Sequence, residues 1–262
     1  MEFDEDEFEE SPFLSDEEIP TIDEEMISRE VDFEEGMNPV PIVSILLGVA
    51  CLIVFFFQIV GGTLADLDKL IAIGALSSKH VLQGEIWRVI SAGFLHGSPD
   101  HIFGNLVVLY ILGMGCEHAF GRGQTLFLYV AAMIVGSLFS LTGGRVSVGA
   151  SGAIFGLMGG MISLFMRHRS QLVVRDHRIG FVLVAWAGYQ FFIGMMSPSV
   201  DNLCHLGGWI SGMAVGYYLQ PAVLLDRSEI EKHNATLLML SIALLILIVA
   251  SMFFIPRLFA AL

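Results

Sequence analysis

The chain has 262 residues, of which 55% are hydrophobic and only 15% are charged, and its mean hydropathy is +0.72. Soluble domains need a polar surface and do not reach this composition, so the sequence predicts a membrane protein. The formal net charge of −14 belongs to one end, because residues 1–36 hold 17 of the 27 acidic side chains and a single base, Arg29. The negative charge is therefore a property of a tail and excludes nothing about the membrane-embedded part.

The acidic segment, residues 1–36, mixes dense like charge with scattered apolar side chains, so it cannot bury enough surface to offset chain entropy. We therefore expect a disordered cytoplasmic tail. A purely solvating role is the simpler interpretation, and a docking segment built on Phe3, Phe8 and Phe13 is the alternative. Because no basic segment leads into an apolar run, we expect no cleaved secretory signal, and the first span should remain as an anchor.

Seven apolar stretches follow the tail, and each is a candidate membrane span. Several are shorter than the roughly 20 residues that cross a bilayer, and Gly, Asn and His interrupt them in a way that lipid-facing helices avoid. These short spans are predicted to be interior helices. The predicted spans are Val40–Val60, His101–Cys116, Thr125–Leu141, Ser151–Met166, Ile179–Met196, His205–Leu219 and Leu237–Ile255.

The distribution of bases favours a cytoplasmic N-terminus. In that orientation the inside segments hold eight bases, four of them in the loop after the fourth span, against five outside, which agrees with the positive-inside rule. Spans two, four and six then all begin at the outer face, with His101, Ser151 and His205 as their first residues. Three reactive side chains are thus predicted at one depth, on the extracytoplasmic side.

The segment Gly149-Ala150-Ser151-Gly152 opens the fourth span, whose 16 residues make about 24 Å of helix against a hydrocarbon core of roughly 30 Å. Its Ser151 end must be recessed, so the loop over residues 143–148 would lie at membrane depth and line a wet cavity. A serine at the floor of such a pit suits hydrolysis. The free N–H groups at the start of a helix can also stabilise a developing oxyanion.

Glycines on the fourth and sixth spans recur every four residues and predict two smooth stripes that pack closely. His205 lies three residues before the first glycine of the sixth-span stripe, so this packing would bring its imidazole near Ser151. Imidazole is the usual base that makes a serine hydroxyl nucleophilic. The stripes consist of Gly152, Gly156 and Gly160 and of Gly208, Gly212 and Gly216.

His101 and Asn105 are spaced i, i+4 and share one face of the second span. Both side chains can donate hydrogen bonds. If they face the pit, they suit an oxyanion hole that the N–H of Ser151 completes.

Four further side chains have structural interpretations. Trp87 and Arg88, in the long loop between the first two spans, are predicted to anchor that loop at the membrane interface. Glu117 is predicted to make an interior hydrogen bond, and Asp201 to be the N-cap of the sixth span.

From about residue 40 to 220 the chain resembles the rhomboid intramembrane proteases. The resemblance implies a six-helix core, a Ser151/His205 dyad without a required aspartate, and single-span membrane proteins as substrates. It also implies an oxyanion hole from His101, Asn105 and the Ser151 N–H. The resembling pieces, in order, are Trp87-Arg88, the run from His96 to Asn105, Gly113 to Glu117, Gly149-Ala150-Ser151-Gly152, and His205-Leu-Gly-Gly208 followed by Gly212.

Departures from the family pattern are small. Phe155 stands where some relatives carry Tyr beneath the catalytic histidine, so ring stacking is expected to persist without the hydroxyl. Cys204 replaces the commoner Ala before that histidine, at little cost in volume. The seventh span resembles the six-plus-one arrangement found in part of the family.

The expected fold is an all-α polytopic membrane protein with a six-helix rhomboid-like core, one C-terminal transmembrane helix and a disordered acidic tail. The expected domains are the tail (1–36), the protease core (37–220), and a linker with the seventh helix (221–262). Gly149, Gly152, Phe155, Gly208, Gly212, Trp87 and Arg88 are assigned structural or site-lining roles.

We predict a serine endopeptidase that cleaves transmembrane protein substrates in the lipid bilayer, with no nucleic-acid partner and its oligomeric state left open. No metal and no cofactor are implied, and Cys51, Cys116 and Cys204 are too scattered for a disulfide framework or a zinc site. A catalytically silent rhomboid-like binding protein is the main alternative. A channel or transporter is a weaker one, because no inverted repeat is evident.

Overall fold

A computed structural model describes residues 30–174, 179–197, 199–225 and 227–259 of the chain. Long helices dominate these residues, and two short strands, β1 (Val31–Asp32) and β2 (Leu172–Val173), pair in parallel. In chain order the described helices are α1 (Ile42–Val60), α2 (Leu67–Ala72), α3 (Ser78–Leu82), α4 (Arg88–Ser91), α5 (Pro99–Phe120), α6 (Arg122–Thr142), α7 (Ser151–Arg167), α8 (Ile179–Met196), α9 (Asn202–Tyr218) and α10 (Arg227–Phe259). A 3₁₀ turn, Ala92–Phe94, follows α4.

Several helices match the predicted spans in length and composition. Among the described residues, α1, α5, α6 and the Ile230–Leu247 part of α10 are long and apolar enough to cross a membrane. Helix α7 and the Phe181–Met196 part of α8 are apolar but shorter. The predicted fold class is confirmed: the chain is an all-α, integral multi-pass membrane protein.

Helix α5 begins earlier than predicted, at Pro99 rather than at His101. The hydroxyl of Ser98 accepts a hydrogen bond from the backbone N–H of His101 at 3.2 Å, and proline suits the first turn because it lacks an N–H to satisfy. His101 is therefore held inside the first turn of a capped helix rather than at its frayed end.

Helix α9 likewise begins at Asn202, not at His205. The carboxylate of Asp201 accepts from the N–H of Cys204 at 3.0 Å, which confirms its predicted role as N-cap. The other carboxylate oxygen of Asp201 accepts from the hydroxyl of Ser140 on α6. The cap thus ties the start of α9, and with it His205, to a neighbouring helix.

The two predicted glycine stripes meet face to face and set the distance between α7 and α9. A Cβ atom at Gly208 would overlap the carbonyl oxygen of Gly152, and one at Gly212 would overlap that of Gly156. A Cβ at Gly216 would lie 2.6 Å from the Cα of Gly160. Backbone therefore contacts backbone along the whole stripe, as small residues allow in membrane helices.

Glu117, near the far end of α5 from His101, caps the start of α1. Its carboxylate accepts from the backbone N–H groups of Val43 at 3.2 Å and Ser44 at 2.8 Å, and from the Ser44 hydroxyl at 2.9 Å. A negative charge there satisfies N–H groups that have no partner within the helix. The predicted interior hydrogen bond of Glu117 is confirmed.

The change Glu117→Ala is expected to lower the free energy of unfolding by about 2 kcal/mol, because it removes an entire N-terminal cap. Thermal unfolding in detergent measures the effect. The control is Asp68→Ala, which removes an exposed carboxylate from the first turn of α2. Equal melting temperatures for the two variants would contradict the capping role.

The last residues of the acidic segment, 30–36, belong to the described structure and pair with the chain after α7. Two backbone hydrogen bonds of 2.8 Å, from Val31 N to Gln171 O and from Phe33 N to Val173 O, hold β1 beside β2. Phe33 is only 4% exposed and packs edge-on against other rings. Residues 30–36, which the sequence assigned to the disordered tail, therefore take part in the described fold, because burying Phe33 and pairing the backbone offsets the entropy of ordering them.

The rest of the expected disordered tail, residues 1–29, lies outside the described residues. The same holds for the docking alternative built on Phe3, Phe8 and Phe13.

Candidate active site

A pit of 730 Å³ opens between α5, α7, α8, α9 and the loop that precedes α7. Helix α5 contributes His101 and Asn105, α7 contributes Ser151 and Phe155, and α9 contributes His205. The structure thus brings the predicted dyad, the predicted oxyanion donors and the predicted stacking ring into one cavity.

Ser151 and His205 are in hydrogen-bond contact. The Oγ atom of Ser151, the first residue of α7, lies 2.8 Å from Nε2 of His205. His205 is 8% exposed, and its Nδ1 is buried without a hydrogen-bond partner among the described residues. If Nε2 accepts the serine proton, Nδ1 carries the ring hydrogen. The pair has the geometry of a nucleophile and its general base.

The ring of Phe155 packs against the imidazole of His205 and orients it. Phe155 lies one turn after Ser151 on α7, and its ring stacks on that of His205 with centroids 4.3 Å apart and planes 12° from parallel. The predicted ring stacking is confirmed. Phe155 is itself packed against Trp186 and Phe191 of α8. Stacked aromatic rings, rather than a carboxylate bonded to Nδ1, therefore fix the plane of the histidine.

Hydrogen-bond donors converge beside Ser151. A Cβ at Gly149 would lie 2.7 Å from the imidazole of His101 and 3.6 Å from Nδ2 of Asn105, so only glycine lets these side chains approach the loop. Gly149 also has a φ of +126°, which L side chains rarely adopt. Nδ2 of Asn105 is buried without a partner in the described part of the chain. A buried, unpaired donor costs free energy, which an oxyanion at this position would recover.

The loop that precedes Ser151 lines the pit, as the sequence predicts for irregular backbone at membrane depth. Residues 145–148 face the cavity, and Ser147 exchanges two backbone hydrogen bonds of 3.0 Å with Leu76. The N–H of Gly149 donates to the carbonyl of Ala92 at 2.9 Å. Partners from the α1–α5 loop thus satisfy this irregular backbone.

Gly152, Gly208 and Gly212 do not line the pit. They pack α7 against α9, where a Cβ on Gly152 would lie 2.6 Å from the sulfur of Cys204. Cys204 is a free, buried cysteine, in agreement with its interpretation as a small apolar residue.

Trp87 and Arg88 are buried within the α1–α5 loop and make contacts inside it, and the anchoring of this loop at the membrane interface stays a prediction. Arg88 is 3% exposed, donates to the carbonyls of Ile71 and Ala75, and pairs with Glu85 at 2.6 Å. Trp87 is 8% exposed. The guanidinium has enough donors to join several loop carbonyls, and composition alone does not reveal those acceptors.

Sequence reasoning missed several pit residues and one buried contact behind the pit. Trp186 and Gln190 of α8 line the cavity, but they lie in an apolar span whose facing side the sequence does not reveal. Gln58 of α1 bonds to the backbone of His96, and its signal was a lone glutamine in an apolar run. In the described residues, no cluster of three or more His, Cys, Asp or Glu side chains is arranged to hold a metal ion.

These features define an integral multi-pass membrane protein with a pit of mixed polar and apolar lining among its helices. A family model described as the Rhomboid domain matches residues 83–222, more than half of the chain. The chain belongs to the rhomboid family.

Several known proteins are similar to this chain. RHOMBOID-like protein 5 of Arabidopsis thaliana is 38% identical over 166 residues, covering 62% of this chain and 52% of that protein. Rhomboid protease GluP of Bacillus subtilis is 31% identical over 162 residues, covering 62% and 31%. Rhomboid protease AarA of Providencia stuartii is 28% identical over 223 residues, covering 74% and 78%. The chain thus spans about half or less of the length of the first two, and their likeness to it concerns the matched region.

Proposed function

We propose that the chain is an intramembrane serine endopeptidase that hydrolyses peptide bonds in or near transmembrane segments of other membrane proteins. The observation that carries the proposal is the 2.8 Å separation of Ser151 Oγ and His205 Nε2 in the lining of a pit among the helices. Two similar proteins, GluP and AarA, are named rhomboid proteases, which supports the same activity.

Acylation begins with the hydroxyl of Ser151. Its Oγ attacks the scissile carbonyl carbon while Nε2 of His205 takes the hydroxyl proton. The carbonyl π bond opens and leaves a negative charge on its oxygen. The C–N bond then breaks, the histidine gives its proton to the leaving amine, and an acyl ester remains on Ser151.

Deacylation repeats these steps with water. His205 takes a proton from a water molecule that attacks the ester, and returns it to Ser151 Oγ as the C–O bond breaks. Water reaches the ester through the pit, whose polar lining includes Ser147 and Gln190.

This chemistry also requires stabilisation of the oxyanion, the negative charge that forms on the carbonyl oxygen. We assign its stabilisation to His101, Asn105 and the backbone N–H of Ser151, which acts at the start of α7. Pre-arranged donors at such a position are worth about two to three orders of magnitude each in turnover number. The unpaired Nδ2 of Asn105 beside Gly149 supports this assignment.

We also propose an orientation of the chain in the membrane and a division of the chain into segments. The excess of bases on one set of loops favours a cytoplasmic N-terminus and a pit that opens to the opposite side. We further propose residues 37–220 as the protease core and 221–262 as a linker with the seventh helix. Transmembrane protein substrates follow from a site set among membrane helices.

Labelling with a fluorophosphonate probe tests the activated serine. Wild type is expected to be labelled in detergent, and Ser151→Ala and His205→Ala are expected to lose at least about 99% of the signal, since one removes the nucleophile and the other its base. The control is Ser163→Ala, a buried serine on the same helix. Unlabelled wild type with a cooperative melting transition would overturn the proposal and favour a binding protein.

A further inference from the structure

Gln58, a fully buried glutamine on α1, makes a two-point contact with the loop that leads into α5. Its side-chain Nε2 donates to the carbonyl of His96 at 3.0 Å, and its Oε1 accepts from the N–H of His96 at 2.9 Å. Gln58 is 1% exposed and does not line the pit. A buried amide with both ends paired fixes the backbone that it contacts.

Among the described residues, His96 is the most buried histidine that the proposed mechanism leaves without a role. His96 is 0% exposed. Burial lowers the pKa of His96 to about 4, and the neighbouring His101 acts in the same direction. The ring is therefore neutral at physiological pH and packs as an aromatic.

The ring of His96 contacts the ring of His101. Their centroids lie 5.1 Å apart with planes at 69°, an edge-to-face contact. The imidazole of His101 also lies against Gly149. His101 thus contacts both a buried ring and the loop that precedes Ser151.

We infer that Gln58 and His96 are positioning residues for His101: Gln58 fixes the backbone of His96, and the ring of His96 fixes the imidazole plane of His101. The inference rests on the proposed oxyanion role of His101. Donors act on an oxyanion only when their geometry is set beforehand, and an error of about 1 Å can cost up to about a hundredfold in rate. Two residues outside the pit therefore control a donor inside it.

The change Gln58→Met tests this, because methionine fills a similar volume but cannot pair with the His96 backbone. The chain offers a matched control in Gln124, which is 0% exposed and bonds to the backbone O and N of Gln220 at 2.7 and 2.8 Å. Gln220 lies beyond the end of α9 opposite His205. For equal amounts of folded enzyme, Gln58→Met is expected to lower kcat about tenfold with KM unchanged, and Gln124→Met is expected to lower stability alone.

A double-mutant cycle shows whether the effect passes through His101. In a His101→Ala background, Gln58→Met and His96→Ala are each expected to cause no further loss of kcat, since the donor that they position is gone. Additive losses would overturn the inference while leaving the proposed function in place.

A second measurement does not depend on activity. Histidine ring resonances of the labelled protein in micelles, with His101 assigned by its loss in His101→Ala, are expected to shift in Gln58→Met and not in Gln124→Met. An unshifted His101 resonance in Gln58→Met would overturn the inference even if the enzyme cleaves. A shifted resonance in a protein that never labels with fluorophosphonate would support the positioning and reject the proposed chemistry.

Discussion

Replacing His205 with alanine is expected to lower the turnover number for a transmembrane substrate by about four orders of magnitude. Without the imidazole 2.8 Å from its Oγ, Ser151 keeps its proton at neutral pH and is a weak nucleophile. The KM should change little, because the histidine acts on bond-making rather than on binding. Cleavage of a purified single-span protein in liposomes gives both constants.

The pair should also behave as a unit. Ser151→Ala alone is expected to lower the turnover number as much as His205→Ala does, and the double variant is expected to lower it no further. The control is His168→Ala, which removes an imidazole just beyond the end of α7 whose Nδ1 lies within hydrogen-bond distance of the Gln171 side chain. Substantial activity in His205→Ala, in a preparation free of other proteases, would reject the dyad.

The meeting of Ser151 with His205 is the part of the site that sequence predicts best. Glycines that recur every four residues fix both the faces in contact and the distance between two helices, so a regular pattern specifies a tertiary contact. The position of Phe155, one turn below Ser151, follows from the same helix periodicity. The sequence positions of these residues were sufficient because each lies on a regular helix.

Contacts made by irregular segments were not predictable in the same way. Gln58 and His96 are 38 positions apart, and the pairing of a side-chain amide with a loop backbone leaves no periodic trace in sequence. Arg88 was predicted at the membrane interface because an Arg beside a Trp is typical of that place. The loop folds so that its own carbonyls surround the guanidinium, which only tertiary structure reveals.

Helix starts are a third case, in which capping residues and hydropathy point to different first residues. Ser98 followed by Pro99 is a strong start signal, yet the span was predicted to begin at His101. Asp201 was predicted as a cap, yet the sixth span was predicted to begin at His205. Hydropathy marks where a helix becomes apolar, whereas capping residues mark where it begins. His101 and His205 lie where these two points differ, so their placement depends on both signals.

Gly212→Ala carries the second large expected effect, on stability and on the site together. The added methyl group would overlap the carbonyl oxygen and Cα of Gly156, and these backbone atoms cannot move unless α9 separates from α7. Overpacking of this kind costs about 3 kcal/mol. Because α9 carries His205 and α7 carries Ser151, separating the helices also lengthens the nucleophile–base contact.

The control is Gly188→Ala on α8, where a Cβ would meet nothing within 4 Å. That change is expected to leave stability equal or raise it by up to about 1 kcal/mol, since alanine is the better helix former. Unfolding in detergent measures the stability difference, and fluorophosphonate labelling per folded molecule measures the site. If Gly212→Ala has the same melting temperature as Gly188→Ala and is labelled at the wild-type rate, the glycine stripe does not set the geometry of the site. If it melts lower and labels more slowly per folded molecule, the helix contact that stabilises the fold also aligns the two reacting groups.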